Sequence, residues 1–306
     1  MTNLKQDNQL LGISWMIFHC FLISNIVIIG KLLGILGYNA IQIVFFQSSV
    51  AFLIVLPFAL KKYGFSEIFK TKILHLHFVR AFLGVISMSL YYYCLKYVNL
   101  NDARAVALLG PVISFIFGVI FLKEVINNKK TIALIFSLIG GAIIINPTSP
   151  SFHPALFLII VSMLMWSTIE VVMKKISKIE SVVKQLLFLM GLMSLLLLFP
   201  SIYYWKMPSS NYEFSLLLAI GALSFINSIA IFLAIRNANL TTIMPFDFSG
   251  MIFTAILTYF IFAELIRVNT IVGSVIVFLS SLYLVYQEGK AGRALARMGE
   301  ANVLKE

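Results

Sequence analysis

The sequence predicts an all-α membrane protein of ten transmembrane helices arranged as two inverted five-helix repeats. Three observations lead there. Of 306 residues, 60% are hydrophobic and 11% charged, with a mean hydropathy of +0.99. A soluble globular chain carries about 25% charge and about 45–50% apolar residues, so composition excludes a soluble enzyme, a disordered tail and a fibrous protein. The apolar residues also fall in ten continuous runs, most close to the roughly 20 residues that cross a hydrocarbon core. Finally, the second half of the chain repeats features of the first at a near-constant offset. A transmembrane β-barrel would show alternation in segments of about ten residues, whereas these runs are unbroken.

Leu10–Ile29 opens the series. Nine polar-rich residues precede it and no small-residue cleavage site follows, so it reads as a retained helix rather than a signal peptide. Asn39–Leu60 and Ile73–Leu95 come next. The third span has a small-residue face, Gly84, Ser87 and Ser89, suited to close helix contact. Ala103–Leu122 is the fourth. Thr131–Ile145 is short and is read as a span because the repeat requires a fifth helix. Pro154–Met173, Gln185–Tyr204, Phe214–Ile235, Leu240–Ala263 and Val268–Tyr286 form the second half. The connections are brief, so consecutive helices are expected to be antiparallel neighbours. The organisation is therefore a first repeat at 10–146, a second at 154–286 and a polar tail at 287–306.

The net charge of +11 comes from 23 Lys and Arg against 12 Asp and Glu. Such a surplus suits either an acidic partner or basic loops held on one side of a bilayer. With the N-terminus placed in the cytoplasm, eighteen of the 23 basic residues fall on that side. Only Lys31, Lys96, Arg104, Lys206 and Arg267 fall on the other. The positive-inside rule then makes both termini and the tail cytoplasmic. No nucleic-acid partner is expected, because the charge is scattered over short loops. Cys20 and Cys94 both lie in apolar runs, giving neither a disulfide framework nor a thiolate metal site. His75 and His77 are two residues apart and point to different helix faces. No metal or cofactor is expected. With no phosphate-cradling Gly loop and no nucleophile triad, the chain does not read as an enzyme.

A shift of 140 residues lays Tyr97-Val-Asn-Leu100 on Asn237-Ala-Asn-Leu240, Gly110 on Gly250, and Phe121-Leu-Lys-Glu124 on Ile261-Phe-Ala-Glu264. A shift of 143 lays Ser24-Asn-Ile-Val and Lys31 on Ser167-Thr-Ile-Glu and Lys174. Five helices per copy is odd, so the second copy enters the membrane upside down. Inverted repeats of this kind build alternating-access carriers, with solute bound near the midplane between the halves.

The stretch Arg80-Ala-Phe-Leu-Gly-Val, Leu95-Lys-Tyr-Val-Asn-Leu, Gly110-Pro-Val-Ile-Ser, Phe121-Leu-Lys-Glu124 and Gly140-Gly-Ala-Ile-Ile resembles the EamA-type pattern of the drug/metabolite transporter superfamily. The second copy departs from it: Met251 stands where Pro111 would repeat, and Ser280-Ser281 replaces the Gly pair. A narrower resemblance, to S-adenosylmethionine uptake carriers of intracellular bacteria, rests on Glu170, Lys174-Lys175, Lys178-Ile-Glu180-Ser181, Tyr204-Trp205, Pro208-Ser-Ser210 and Tyr259-Phe-Ile-Phe-Ala-Glu264. These resemblances imply a carrier in a bacterial inner membrane, monomeric or homodimeric, moving a small metabolite. An exporter of amino acids, metabolites or drugs is the alternative on the same scaffold. A membrane-embedded enzyme or regulatory subunit is the distant one.

Polar groups deep in a bilayer are expensive and face a cavity or a partner. His19 sits mid-span one turn from Trp15, as a solute contact or an interhelical hydrogen bond. Asp247 lies about two turns into its span with no basic neighbour in the same turn. It must therefore line water, meet a cation, be protonated, or pair with Arg80 or Arg236. Trp166 is too deep for an interfacial aromatic belt, and one of Tyr91, Tyr92 and Tyr93, taken as Tyr92, can face inward. Trp15, His19, Tyr92, Trp166 and Asp247 are the candidate substrate-binding residues. Glu170 has Lys174 one turn away as a local partner, and Arg80 can snorkel to headgroups. Gln47 and Asn227 suit interhelical hydrogen bonds. Pro111 frees the carbonyl of Ala107; it and Pro245 are the candidate hinges or helix breaks.

Overall fold

In a bilayer, backbone N–H and C=O groups find no water, so apolar runs of this length satisfy them internally as helices. The computed structural model describes residues 3–98, 100–107, 109–123, 128–145 and 153–263, with scattered positions in 268–283. Its helices are α1 (Asn3–Ile35), α2 (Ala40–Ile68), α3 (Leu74–Cys94), α4 (Leu100–Ala107), α5 (Leu109–Leu122), α6 (Asn128–Ile145), α7 (Leu156–Ile176), α8 (Val182–Tyr203), α9 (Asn211–Asn237), α10 (Leu240–Asp247) and α11 (Ser249–Phe262). No strand occurs among the described residues. Among the described residues, seven segments are long and apolar enough to span: α1, α2, α3, α7, α8, α9, and α10 with α11. The α4–α5 pair, α6 and the 268–283 stretch occupy the places of the other three expected spans, so the count of ten is compatible. Glu124, Glu264 and the tail lie outside the described residues.

Side-chain caps set several helix starts. Asn39 accepts from the Ile41 N–H at 2.9 Å and Ser210 from the Glu213 N–H at 3.2 Å. Each satisfies an orphan donor of the first turn. Glu213 reaches back to the Ser209 N–H at 3.0 Å and accepts the Tyr38 hydroxyl at 2.8 Å, joining two loops on one side of the bundle.

The packing has an internal symmetry. α1 lies on α9 as α3 lies on α7; α2 meets α9 as α8 meets α3; α5 meets α7 as α11 meets α1. The pairs α2–α8 and α5–α10 bridge the two halves. The offset of 140 recurs in the backbone: α4 and α10 begin at Leu100 and Leu240, and α5 and α11 end at Leu122 and Phe262. Both are followed by a residue of φ 53°, Lys123 and Ala263. In the second half α10 gives way to α11 at Phe248, just after Asp247. Pro245 lies inside α10, two residues before its end, and Pro111 falls within α5.

Hydrogen bonds repeat too. Ser24 donates to the Gly250 carbonyl at 3.0 Å, and Ser167 to the Gly110 carbonyl at 3.2 Å. Thr254 bonds Ser24 at 3.0 Å, and Ser114 bonds Ser167 at 2.9 Å. These two matched triads tie the first helix of each half, α1 or α7, to α11 or α5 of the other.

The outer surface carries large apolar side chains in the open, among them Phe199 at 78% and Phe260 at 77% exposure. So much exposed hydrocarbon marks a surface made for lipid. Arg80 departs from the expectation of snorkelling. It is fully buried, donates to the Gln185 carbonyl at 3.0 Å and to its Oε1 at 3.4 Å, and lies over the Phe232 ring at 4.9 Å. Gln185 on α8 faces it, so the guanidinium finds its acceptors inside the bundle.

Candidate substrate site

Where the halves meet, α1, α3, α4, α5, α7 and α10 enclose a cavity of about 750 Å³ including its mouth. His19, Tyr92, Trp166 and Asp247 all line it. Trp15 does not: it packs half-buried on the core, edge-on to Phe18 at 6.2 Å. It lies a turn nearer the chain start than His19, beyond the end of the chamber.

The lining follows the repeat. His19 and Ser162, Ile23 and Trp166, and Val27 and Glu170 are pairs at the offset of 143; Arg104 and Met244, and Ala107 and Asp247, are pairs at 140. The shape is therefore shared by both halves while the chemistry is not. At every pair one member is ionisable or aromatic and the other small or aliphatic. The neighbours of His19 and Ser162 are equivalent as well. Ser162 exchanges hydrogen bonds with Ser87, at 2.9 Å between hydroxyls, and His19 faces Asn227, which is Ser87 shifted by 140.

Glu170 does not rely on Lys174. Its carboxylate accepts the Trp166 indole N–H at 2.9 Å and the Ser114 hydroxyl. Lys174 donates to the Ile235 and Ala238 carbonyls. Asp247 is met by neither Arg80 nor Arg236. The Cys20 thiol approaches its Oδ1 at 3.6 Å, and the cation acting on it is Arg104. Arg104, counted with the outer loops in the sequence, is 8% exposed and reaches inward. Its guanidinium rests against Gly250, where a Cβ would stand 2.1 Å from Nη2. Tyr92 donates to Gln47 at 2.9 Å and shows its ring to the cavity. Tyr93 is exposed and lies against Tyr97 at 5.1 Å, as a belt residue would.

Several buried polar atoms around this chamber have no hydrogen-bond partner: His19 Nδ1, Tyr91 Oη, Arg104 Nε and Nη2, and Asn227 Oδ1. Buried polar atoms are nearly always satisfied, so their concentration here marks a place completed by something else. A second, smaller hollow, lined by Gln47, Asn227 and Phe232 among others, shares Met88 and Trp166 with the first.

A duplicated helical bundle, lipid-facing outside and enclosing a polar chamber between its halves, is the architecture of a membrane carrier. The EamA-like transporter family model matches residues 10–146 and again 153–286. The chain belongs to that family, and it is a multi-pass membrane transporter. It is similar to the S-adenosylmethionine uptake transporter of Rickettsia felis, 24% identical over 282 residues, covering 92% of this chain and 95% of that protein. It is also similar to the riboflavin transporter of Vibrio cholerae, 26% identical over 261 residues, covering 84% and 86%. One crystal structure shares the fold with a TM-score of 0.75 at 12% identity, covering 93% of this chain and 99% of that one.

Proposed function

We propose that the protein is a secondary carrier that takes up S-adenosylmethionine across a bacterial inner membrane by alternating access, with both termini cytoplasmic. The observation that carries this is the pair of carboxylates, Asp247 and Glu170, beside Trp166 in the chamber between the halves. The solute is a zwitterion with an added sulfonium charge and an adenine ring. Asp247 supplies the counter-charge, and the Trp166 indole offers a face for the sulfonium or the ring. The adjoining chamber behind Met88 and Trp166, lined by Met190, Ile231 and Phe232, offers apolar wall to the uncharged end. The similarity to S-adenosylmethionine uptake transporters along most of the chain supports the same assignment.

Alternating access needs the chamber to open to each side in turn. The end of α10 at Asp247, two residues after Pro245, interrupts the second half's helix at the chamber wall. Half-helices pivoting there would exchange the exposed mouth without unfolding the triads that anchor them.

Cells expressing the protein should accumulate labelled S-adenosylmethionine above an empty-vector control. The product lacking the sulfonium methyl, and with it the positive charge, should compete weakly. Uptake no greater than the vector overturns the substrate. Net loss of label from preloaded cells without uptake identifies an exporter instead. Asp247→Asn should lower uptake by about tenfold or more, the worth of one charge-assisted contact. Full activity in that variant removes the cation contact and leaves the substrate standing.

A further inference from the structure

The chamber holds one side chain that transport of a cation does not explain. Arg104 places a permanently charged guanidinium in a wall otherwise suited to a positive solute, at 8% exposure. Two of its nitrogens, Nε and Nη2, lack a well-formed hydrogen bond, as does the hydroxyl of Tyr91, which lies close enough to interact with it. Burying a charge without partners is costly, and a guanidinium is matched best by a carboxylate that meets two of its N–H groups at once. The protein's own acids do not play this part. Glu170 is engaged by Ser114 and Trp166. Asp247 acts on Arg104 through its charge but makes no ion pair with it. Gly250 keeps the place open, since any side chain there would collide with Nη2.

We infer that Arg104 and the Tyr91 hydroxyl form an anion subsite that binds the carboxylate of a zwitterionic substrate, while Asp247 faces its positive group. This rests on the chamber being the transport site. The repeat gives the subsite a direction. The position equivalent to Arg104 in the other half is Met244, and the one equivalent to Asp247 is Ala107. A chamber of two-fold shape thus holds a single anion-binding arm and a single free acid, so a zwitterion fits in one orientation only. A solute with a cation but no carboxylate would leave the Arg104 donors unmet and bind less well.

The test compares uptake of S-adenosylmethionine with that of its decarboxylated form by the full chain in proteoliposomes, with membrane levels measured for each variant. Wild type should prefer the carboxylated solute by about tenfold or more. Arg104→Gln and Arg104→Met should bring that preference to within about twofold, and Tyr91→Phe should give an intermediate ratio. The subsite is overturned if wild type carries both solutes equally, or if Arg104→Gln keeps the wild-type ratio. It is overturned too if uptake of both solutes falls together while Tyr91→Phe keeps the ratio. Should the Arg104 variants fail to reach the membrane, Tyr91→Phe decides alone, and an unchanged ratio overturns the subsite. Transport of neither solute by wild type overturns the substrate reading and this inference with it. Equal transport of both overturns the subsite alone.

Discussion

Replacing Gly221 with alanine should weaken the α2–α9 contact, and the structure sets the size of the effect. A Cβ at 221 would stand 2.3 Å from Val50 Cβ, 2.7 Å from its Cγ1 and 3.2 Å from the Phe46 carbonyl oxygen. Ordinary contact begins at 3.4 Å, so the two helices must part locally by about 1 Å. No rotamer relieves this, because Val50 Cβ is fixed to the α2 backbone. Lipid is as apolar as the side chains it would replace, so helix association here depends on close packing rather than on escape from water. Overpacking of this kind costs about 1–3 kcal/mol. We expect thermal or denaturant unfolding of purified Gly221→Ala to show a loss of that size. A double-mutant cycle isolates the cause. Val50→Gly removes the struck carbon and should cost less in the Gly221→Ala background than alone. Val50→Ala keeps that carbon and should show much less relief. Gly221→Ala as stable as wild type within about 0.5 kcal/mol, or no coupling to Val50→Gly, would refute the reasoning.

Gly250→Ala should behave differently, because its new methyl meets the mobile end of Arg104 rather than backbone-bound carbon. Stability should hold within about 1.5 kcal/mol while uptake falls about tenfold or more as the guanidinium is displaced; unchanged uptake counts against the placement of Arg104. Ser24→Ala and Ser167→Ala each delete one bond to a glycine carbonyl of the opposite half. Each should cost about 1 kcal/mol, and unfolding costs differing by more than that would argue against their equivalence. Tyr38, between α1 and α2, has its phenol pushed up to about 12, by burial first and then by its hydrogen bond and charge contact with Glu213. A raised folded-state value gives stability that is complete below the ordinary phenol value near 10 and is lost as pH rises towards 12. Unfolding measured across that alkaline range should show a shallower decline for Tyr38→Phe, and parallel curves would contradict it.

Much of the site is legible in the sequence, because a polar residue inside an apolar run has few explanations in lipid. His19, Tyr92, Trp166 and Asp247 stand out in that way, and all four line one chamber. Trp15 shares a helix face with His19, but a shared face does not say where along the helix a cavity ends. Arg104 falls near the start of its span, so the sequence places it with the outer loops. α4 in fact begins at Leu100, which sets Arg104 a full turn inside the helix, from where its long side chain reaches the chamber. In the sequence, Glu170 has an obvious partner in Lys174 one helical turn on. Its actual partners are Trp166, one turn the other way, and Ser114 on a different helix.

By itself the sequence determined that this chain is helical and lives in a membrane, because backbone groups in hydrocarbon leave no other solution for runs so apolar. Its offsets of 140 and 143 also determined that the halves are copies, and the structure returns them as matched helix ends, matched hydrogen bonds and matched contacts. What only the tertiary structure decided is which residues of the two copies face each other across the chamber. Arg104, Tyr91, Glu170 and Asp247 come from four helices. Their grouping depends on how those helices pack, and helix packing in lipid follows from surface shape rather than from hydrophobicity that a linear sequence displays.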